Sequence, residues 1–137
     1  MSEVPLVAVV DDDESVREAT QSLLLSAGFR AAVFASARDF LQAPQRQDTA
    51  CLIVDVRMPG MSGLDLQQQL ARSRSAIALI FITSHEDDES RARALRAGAV
   101  DFLYKPFSDE ALLRAIRSAL PGPGKGAPGA DRRDSEG

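Results

Sequence analysis

Five short apolar runs, separated by segments with helical periodicity, constrain the fold of this 137-residue chain more than any other feature. Four of the runs are nearly continuous apolar blocks, a pattern typical of parallel strands that are covered on both faces. Each run, with the segment after it, has the length of one βα unit. We predict strands at residues 6–10, 31–34, 51–54, 77–82 and 100–104.

The segments after the runs carry helix signals. Apolar side chains recur at helical spacing in the first and last of them, and the last follows Ser108, a favourable N-cap. Ser36 and Asp39 have the spacing of a capping box. We predict helices over 16–27, after Ser36, and over 64–71, 89–97 and 109–120.

Strands that alternate with helices predict an α/β fold, with a five-stranded parallel sheet and helices on both faces. The common strand order of such a flavodoxin-like (βα)5 sheet is 2-1-3-4-5, and its ligands bind at the carboxyl ends of strands 1 and 3. We assign residues 1–120 to this domain. Residues 121–137 contain 8 Pro or Gly residues among 17 and no large apolar side chain, so we predict a flexible tail or linker.

Charge and cysteine content narrow the class of protein. The formal net charge of −4 disfavours direct binding to nucleic acid, because such binders place excess Lys and Arg against the phosphates. The single Cys51 can form neither an internal disulfide nor a zinc cluster. No apolar run approaches the roughly 20 residues of a membrane-spanning helix. We therefore expect no membrane insertion, and a cytoplasmic location.

Polar side chains follow four of the predicted strands. Asp11 and Asp12 follow the first strand and Asp55 the third, while Thr83 and Lys105 follow the fourth and fifth. Carboxylates that meet at one sheet edge repel each other unless a cation neutralises them, and a hard divalent ion such as Mg²⁺ suits oxygen ligands. An Asp carboxylate can also take a phosphoryl group as an acyl phosphate. Asp55, which stands alone at its strand end, fits that role.

These motifs resemble those of response-regulator receiver domains of two-component signalling, and within that family the nitrogen-fixation regulator type. The resemblance covers residues 5–120. It rests on four blocks in the family's order: Val-Val-Asp-Asp-Asp at 9–13, Val-Asp-Val-Arg-Met-Pro-Gly-Met-Ser-Gly at 54–63, Ile-Thr-Ser at 82–84, and Asp-Phe-Leu-Tyr-Lys-Pro-Phe at 101–107.

The resemblance implies a phosphorylation switch. A sensor histidine kinase would donate the phosphoryl group to Asp55, while Mg²⁺ would be bound directly by Asp12, mainly through water by Asp11, and by the backbone carbonyl of Arg57. The resemblance also implies that helix 4, strand 5 and helix 5 repack and form a homodimer surface. Association with partners is the expected output, and no DNA-binding domain is present in these residues.

The same resemblance assigns the residues that read the phosphoryl group. Thr83 and Lys105 would contact its oxygens, and Phe102 occupies the aromatic switch position, where the ring turns inward as Thr83 moves. Tyr104 is not that residue. The Lys105–Pro106 peptide is expected to be cis, an isomer that X-Pro bonds adopt at modest cost. Ser84 keeps the phosphoryl site accessible.

Other charged residues have simpler interpretations. Asp13 is interpreted as the N-cap of the first helix rather than as a metal ligand. His85 has no partner at metal-ligand spacing, although it and Arg57 flank the phosphoryl site in the family. Arg91, Arg93 and Arg96 are interpreted as a solvated helix face that contributes dimer contacts.

Two other functions remain open from the sequence. A haloacid-dehalogenase-type phosphatase would use Asp11 as nucleophile in the motif Asp11-x-Asp13-x-Ser15, but this would leave Asp55, Thr83 and Lys105 unexplained. A phosphorylation-independent interaction module would have the same fold. Its site residues are usually lost, however, whereas all of them are kept in this chain.

Overall fold

The computed structural model describes residues 4–120, which form five strands, each followed by a helix. The tail predicted at 121–137 lies outside the described residues. Four strands agree with prediction to within one residue at each end, whereas the third is longer than predicted. The strands are β1 (Leu6–Val10), β2 (Arg30–Phe34), β3 (Thr49–Asp55), β4 (Ala78–Thr83) and β5 (Asp101–Tyr104).

All five predicted helices are present. N-cap side chains from Asp13, Ser36, Ser62, Asp87 and Ser108 accept a backbone N–H in the first turn of their helices, which satisfies donors that a helix start leaves free. The helices are α1 (Glu14–Ser26), α2 (Ala37–Gln42), α3 (Gly63–Arg72), α4 (Asp88–Arg96) and α5 (Asp109–Ala119).

The sheet has the predicted order, β2-β1-β3-β4-β5, and every neighbouring pair is parallel. Val10 of β1 lies beside Val54 of β3, and Asp55 lies beside Ile82 of β4. The carboxyl ends of β1 and β3 therefore reach the same edge of the sheet. The polar residues that follow these strands converge there.

Helices cover both faces of the sheet, as predicted. One core cluster joins side chains of α2, α3 and α4 to one face, and the other joins α1 and α5 to the opposite face. The side chains of β1 and most of those of β3 and β4 are buried, which explains their continuous apolar sequence. Each fully buried Leu, Ile or Val stabilises the fold by about 1.5–3 kcal/mol through its loss of exposure to water.

Three local features differ from prediction. A short 3-10 helix at Pro44–Asp48 was not predicted. The full capping box lies at Ser62 and Asp65, where each side chain accepts the other residue's backbone N–H, whereas at Ser36 the structure gives only the bond from the Asp39 N–H. Spacing alone cannot distinguish the two, because the reciprocal bond depends on the rotamer of the second side chain.

None of the helices within 4–120 combines the length and the apolar character needed to cross a membrane.

Candidate phosphoacceptor and metal site

Two aspartates at the carboxyl ends of neighbouring strands form the centre of the site. Asp11 directly follows β1 and is 0% exposed, while Asp55 ends β3 and is 6% exposed. Backbone N–H groups orient both carboxylates: the Asp13 N–H donates to Asp11 Oδ1 at 2.9 Å, and the Arg57 N–H donates to Asp55 Oδ1 at 3.0 Å. The second oxygen of each carboxylate, Oδ2, takes part in neither of these bonds.

Lys105 joins these two carboxylates. Its Nζ lies 2.9 Å from Asp55 Oδ2 and 2.9 Å from Asp11 Oδ2. The contact with Asp55 has the geometry of a hydrogen bond, but the contact with Asp11 is an ion pair without favourable hydrogen-bond angles. Asp11 Oδ2 is therefore a buried carboxylate oxygen that accepts no hydrogen bond from the described residues.

Burial and charge act in opposite directions on this cluster. Burial raises the pKa of Asp55 above its usual 3.8, and the charge of Asp11 adds to the rise, although the hydrogen bonds from Lys105 and Arg57 oppose it. Burial alone would lower the pKa of Lys105. The close contacts of its ammonium group with the carboxylates of Asp11 and Asp55 outweigh burial and raise the pKa of Lys105.

The carboxylates fit a divalent cation. One oxygen from each of Asp11, Asp12 and Asp55 lies within 4.8 Å of the others, and Asp12 is exposed. The buried Asp11 oxygen without a hydrogen-bond donor offers a free lone pair, and oxygen donors with water-accessible positions suit Mg²⁺. The residues at hand therefore match the predicted metal.

Thr83 and the residues after it border the site on the β4 side. Thr83 is 2% exposed, and its backbone carbonyl accepts the Lys105 N–H at 2.7 Å, so the ends of β4 and β5 are joined. The Thr83 hydroxyl oxygen accepts the His85 N–H at 3.2 Å. Ser84 and His85 are exposed, and their side chains lie 3.4 Å apart between Oγ and Nδ1. His85 thus contacts the site through its backbone.

Phe102 lies inside the protein, away from the carboxylates. Its ring is buried between those of Phe81 and Tyr104, with centroids 6.1 Å and 5.6 Å away. Tyr104 is half-buried at the end of the same strand. The ring that the resemblance assigns to the switch therefore occupies the inward position in this structure.

Comparison with known proteins identifies the family. Residues 7–117, most of the chain, match the response regulator receiver domain. This chain belongs to that family. The receiver domain shares the fold of the solved chemotaxis protein CheY4 of Vibrio cholerae, with a TM-score of 0.79, 27% identity, and coverage of 86% of this chain and 100% of that chain.

Two curated relatives and a solved structure resemble this receiver domain more closely in sequence. Nodulation protein W of Bradyrhizobium diazoefficiens is 48% identical over 114 residues, which are 83% of this chain and 50% of that protein. The transcriptional regulatory protein FixJ of Azorhizobium caulinodans is 43% identical over 114 residues, which are 83% of this chain and 54% of that protein. The response regulator StyR is 48% identical, with a TM-score of 0.80 over 86% of this chain and 60% of that chain.

These likenesses confirm the resemblance to the nitrogen-fixation regulator type. The receiver domain spans about half the length of the two curated relatives. The comparisons give no support to a haloacid-dehalogenase-type phosphatase. The interpretation of Asp13 as the N-cap of the first helix is confirmed, because its side chain accepts the Ser15 N–H at 2.9 Å at the start of α1.

Several contacts around the site of the receiver domain were not foreseen from sequence. Arg17 of α1 donates from Nη1 to the Asp11 carbonyl at 2.7 Å, and Arg57 Nη2 lies 3.5 Å from Asp87 Oδ2. A Cβ on Gly63 would stand 2.5 Å from the Asp55 carbonyl oxygen. The Asp87-x-x-Ser90 spacing is typical of a helix N-cap and could have indicated Asp87 from the sequence. The others depend on which elements pack together.

The remaining sequence assignments fall outside the carboxylate cluster. The Lys105–Pro106 peptide is cis, as expected. Arg91, Arg93 and Arg96 are exposed on α4, in agreement with a solvated face.

Proposed function

We propose that this receiver domain accepts a phosphoryl group from a sensor histidine kinase onto Asp55, with Mg²⁺, and changes its association with partners as a result. The observation that carries the proposal is the shared ammonium group: Lys105 Nζ lies 2.9 Å from the buried carboxylates of both Asp11 and Asp55. A cation placed there neutralises the nucleophile before transfer and can pair with a phosphoryl oxygen after it.

The proposed reaction is a direct transfer between two side chains. A carboxylate oxygen of Asp55 attacks the phosphorus of the kinase's phosphohistidine, a P–O bond forms, and the P–N bond breaks. The electron pair of the broken bond returns to the imidazole nitrogen. Lys105 then pairs with one phosphoryl oxygen, and the hydroxyl of Thr83 donates to another.

Mg²⁺ would be held by Asp11, Asp12 and Asp55, together with the backbone carbonyl of Arg57. When bound, it neutralises charge on the transferring phosphoryl oxygens. The closeness of the three carboxylates and the free lone pair on Asp11 support this assignment.

A cavity beside the site suits the docking of the kinase. Its volume is about 460 Å³, and apolar side chains of α1 and of the β5–α5 loop line most of it. Lys105 and Ser84 reach its edge, so a helix docked there brings its histidine near Asp55. We also propose a cytoplasmic location for the domain. The lining residues are Val16, Ala19, Thr20, Leu23, Ser84, Lys105, Pro106, Phe107 and Asp109.

The output would be a change in association rather than turnover of a substrate. Phe102, inside the core beside Phe81, would couple Thr83 to the face formed by α4, β5 and α5, and we infer that this face forms a homodimer after phosphorylation. Sedimentation with beryllofluoride, a phosphoryl mimic, and Mg²⁺ tests this inference. A chain that stays monomeric would contradict it.

The domain would also catalyse its own phosphorylation from the donor and its own slow dephosphorylation. Water reaches the acyl phosphate across the exposed side chains of Ser84 and His85. Together with Arg57, His85 would set the lifetime of the phosphoryl group. Because its output is a change in association rather than turnover of a substrate, the protein is regulatory and not a conventional enzyme.

Intact mass after incubation with a small phosphodonor and Mg²⁺ tests the proposal. We expect one phosphoryl adduct on the wild type, none on Asp55→Asn and none with EDTA. Asp11→Asn should slow formation of the adduct. Asp12→Asn should strongly weaken Mg²⁺-dependent phosphorylation, and a metal titration should show a lower affinity for Mg²⁺. If Asp55→Asn still formed the adduct while Asp11→Asn did not, Asp11 would be the nucleophile and the proposal would be wrong.

A further inference from the structure

Three consecutive glutamines on α3 differ sharply in exposure. Gln67 is 4% exposed, whereas Gln68 and Gln69 are exposed. The Gln67 side chain donates from Nε2 to the carbonyl of Ala94 at 3.1 Å, which joins α3 to the last turns of α4. Breaking this bond would leave an amide group away from water, so the contact is costly to lose.

The Ala94 carbonyl does not need this bond to be satisfied. The Ala99 N–H donates to the same oxygen at 3.0 Å, in the turn that ends α4 at Gly98, which has a φ of 105°. The carbonyl therefore keeps a donor when Gln67 is replaced. The bond from Gln67 therefore serves to fix the carboxyl-terminal end of α4 to α3.

The amino-terminal end of α4 has much weaker attachments. Its N-cap, Asp87, contacts the rest of the domain through Arg57 at 3.5 Å, and these side chains are 30% and 57% exposed. An ion pair this exposed contributes about 1 kcal/mol or less. Ala94, near the other end, is the one buried side chain of α4.

The weak end is also the end that faces the phosphoacceptor. The Arg57 N–H donates to Asp55 Oδ1 at 3.0 Å, two residues along the chain. Phosphorylation replaces the carboxylate charge of about −1 on Asp55 by a phosphoryl charge of about −1.5 to −2, so up to about one more negative charge beside Arg57 competes with the single charge of Asp87. The hydrogen bond from the His85 N–H to the Thr83 hydroxyl lies in the loop between β4 and α4, which also contains Asp87, and it borders the site.

We propose that Gln67 is the fixed anchor of α4, about which the helix pivots when phosphorylation of Asp55 releases the contact between Arg57 and Asp87. The pivot rests on the proposed function, whereas the anchor does not. Gln67 is a positioning residue, because it acts on α4 and touches neither the phosphoryl group nor its donor.

Amide hydrogen exchange, followed by NMR on the whole chain, tests both parts. On addition of beryllofluoride and Mg²⁺ to the wild type, we expect exchange at Ser90 and Arg91 to become about 3- to 10-fold faster, as expected for the loss of one or two weak contacts. Exchange at Ala97 and Ala99 should change by less than about twofold.

The variant Gln67→Met keeps the side-chain length and removes the donor. Without the mimic, it should speed exchange at Ala97 and Ala99 by about 3- to 10-fold. Gln68→Met, its exposed neighbour on the same helix, should match the wild type. Ile53 in the buried β3 reports global opening, so an effect of Gln67→Met confined to α4 separates anchoring from a general loss of stability.

Three outcomes would overturn the inference. Equal acceleration at both ends of α4 in the wild type would exclude a pivot. No change at either end with beryllofluoride would also exclude it, provided that the same protein takes up a phosphoryl group on Asp55 from a small phosphodonor. Identical exchange in Gln67→Met and Gln68→Met would exclude the anchor. Absence of any phosphoryl adduct would instead refute the proposed function, and the variants without the mimic would still decide the anchor.

Discussion

Helices α3 and α4 cover the same face of the sheet but are held there by different means. The buried residues of α3 include Leu64, Leu66 and Leu70, whereas α4 buries only Ala94. Apolar burial stabilises α3 in one position, since any shift would expose leucine side chains to water. Helix α4 is held by the burial of Ala94 and by a few polar contacts, which we propose are altered by a change of charge at Asp55. The two helices thus differ in their means of attachment rather than in their length, which is 10 residues for α3 and 9 for α4.

The largest expected effect is on the alkylation rate of Cys51, which lies in the sheet that α3 and α4 cover. Cys51 lies fully buried in β3, and burial raises the pKa of its thiol to about 12. On the order of one thiol in ten thousand is then ionised at pH 8, so alkylation should be at least about 1,000-fold slower in the native protein than in urea. Iodoacetamide labelling followed by mass spectrometry measures this. Variants of α4 should leave the native rate unchanged, and fast native labelling would show that β3 opens readily.

Matched leucine truncations test the comparison directly. Leu66→Ala, at a fully buried site on α3, should lower the free energy of unfolding by about 2–5 kcal/mol, because it leaves a cavity. Leu95→Ala, at a half-buried site on α4, should cost about 1 kcal/mol or less. Urea unfolding gives both values. Similar costs would mean that α4 is packed as firmly as α3.

Two glycine substitutions distinguish the start of α3 from the end of α4. Gly63→Ala would place a Cβ 2.5 Å from the Asp55 carbonyl oxygen and 3.1 Å from the Phe81 ring, so the backbone has to shift. We expect a loss of about 1–3 kcal/mol in stability and slower phosphorylation of Asp55. Gly98→Ala strains a positive φ but meets open space, so it should cost stability without slowing phosphorylation. Equal phosphorylation rates in the two variants would contradict the expectation.

The pH dependence of Asp87 gives the smallest effect. Hydrogen bonds from the hydroxyl and then the backbone N–H of Ser90 lower the pKa of Asp87 below its usual 3.8. Because the folded-state pKa is depressed, this N-cap contribution is complete above the unfolded-state pKa and is lost as the pH falls through the folded-state pKa. The Ser90 amide shift in NMR should titrate with a midpoint below 3.8, and Asp87→Asn should abolish the titration. A midpoint at or above 3.8 would show that the cap does not hold the carboxylate.

The limits of a strand were predicted best where its block of large apolar residues ends abruptly. The limits of β1 were predicted correctly because five consecutive apolar residues precede an acidic run. β3 begins at Thr49, two residues earlier than predicted, because a buried threonine and an alanine carry little hydrophobic signal. The 3-10 helix at Pro44–Asp48 was missed, since short turns of this kind are set by the elements they connect.

The convergence of Asp11, Asp55 and Lys105 followed from the sequence alone. Parallel strands that alternate with helices must bring their carboxyl ends to one edge, so residues 50 positions apart become neighbours whatever their side chains are. Only the tertiary structure decided that Gln67 bonds to the Ala94 carbonyl, which backbone lies against Gly63, and how Arg57 reaches Asp87. These contacts depend on the rotation and spacing of helices that pack together, and chain periodicity does not encode those quantities locally.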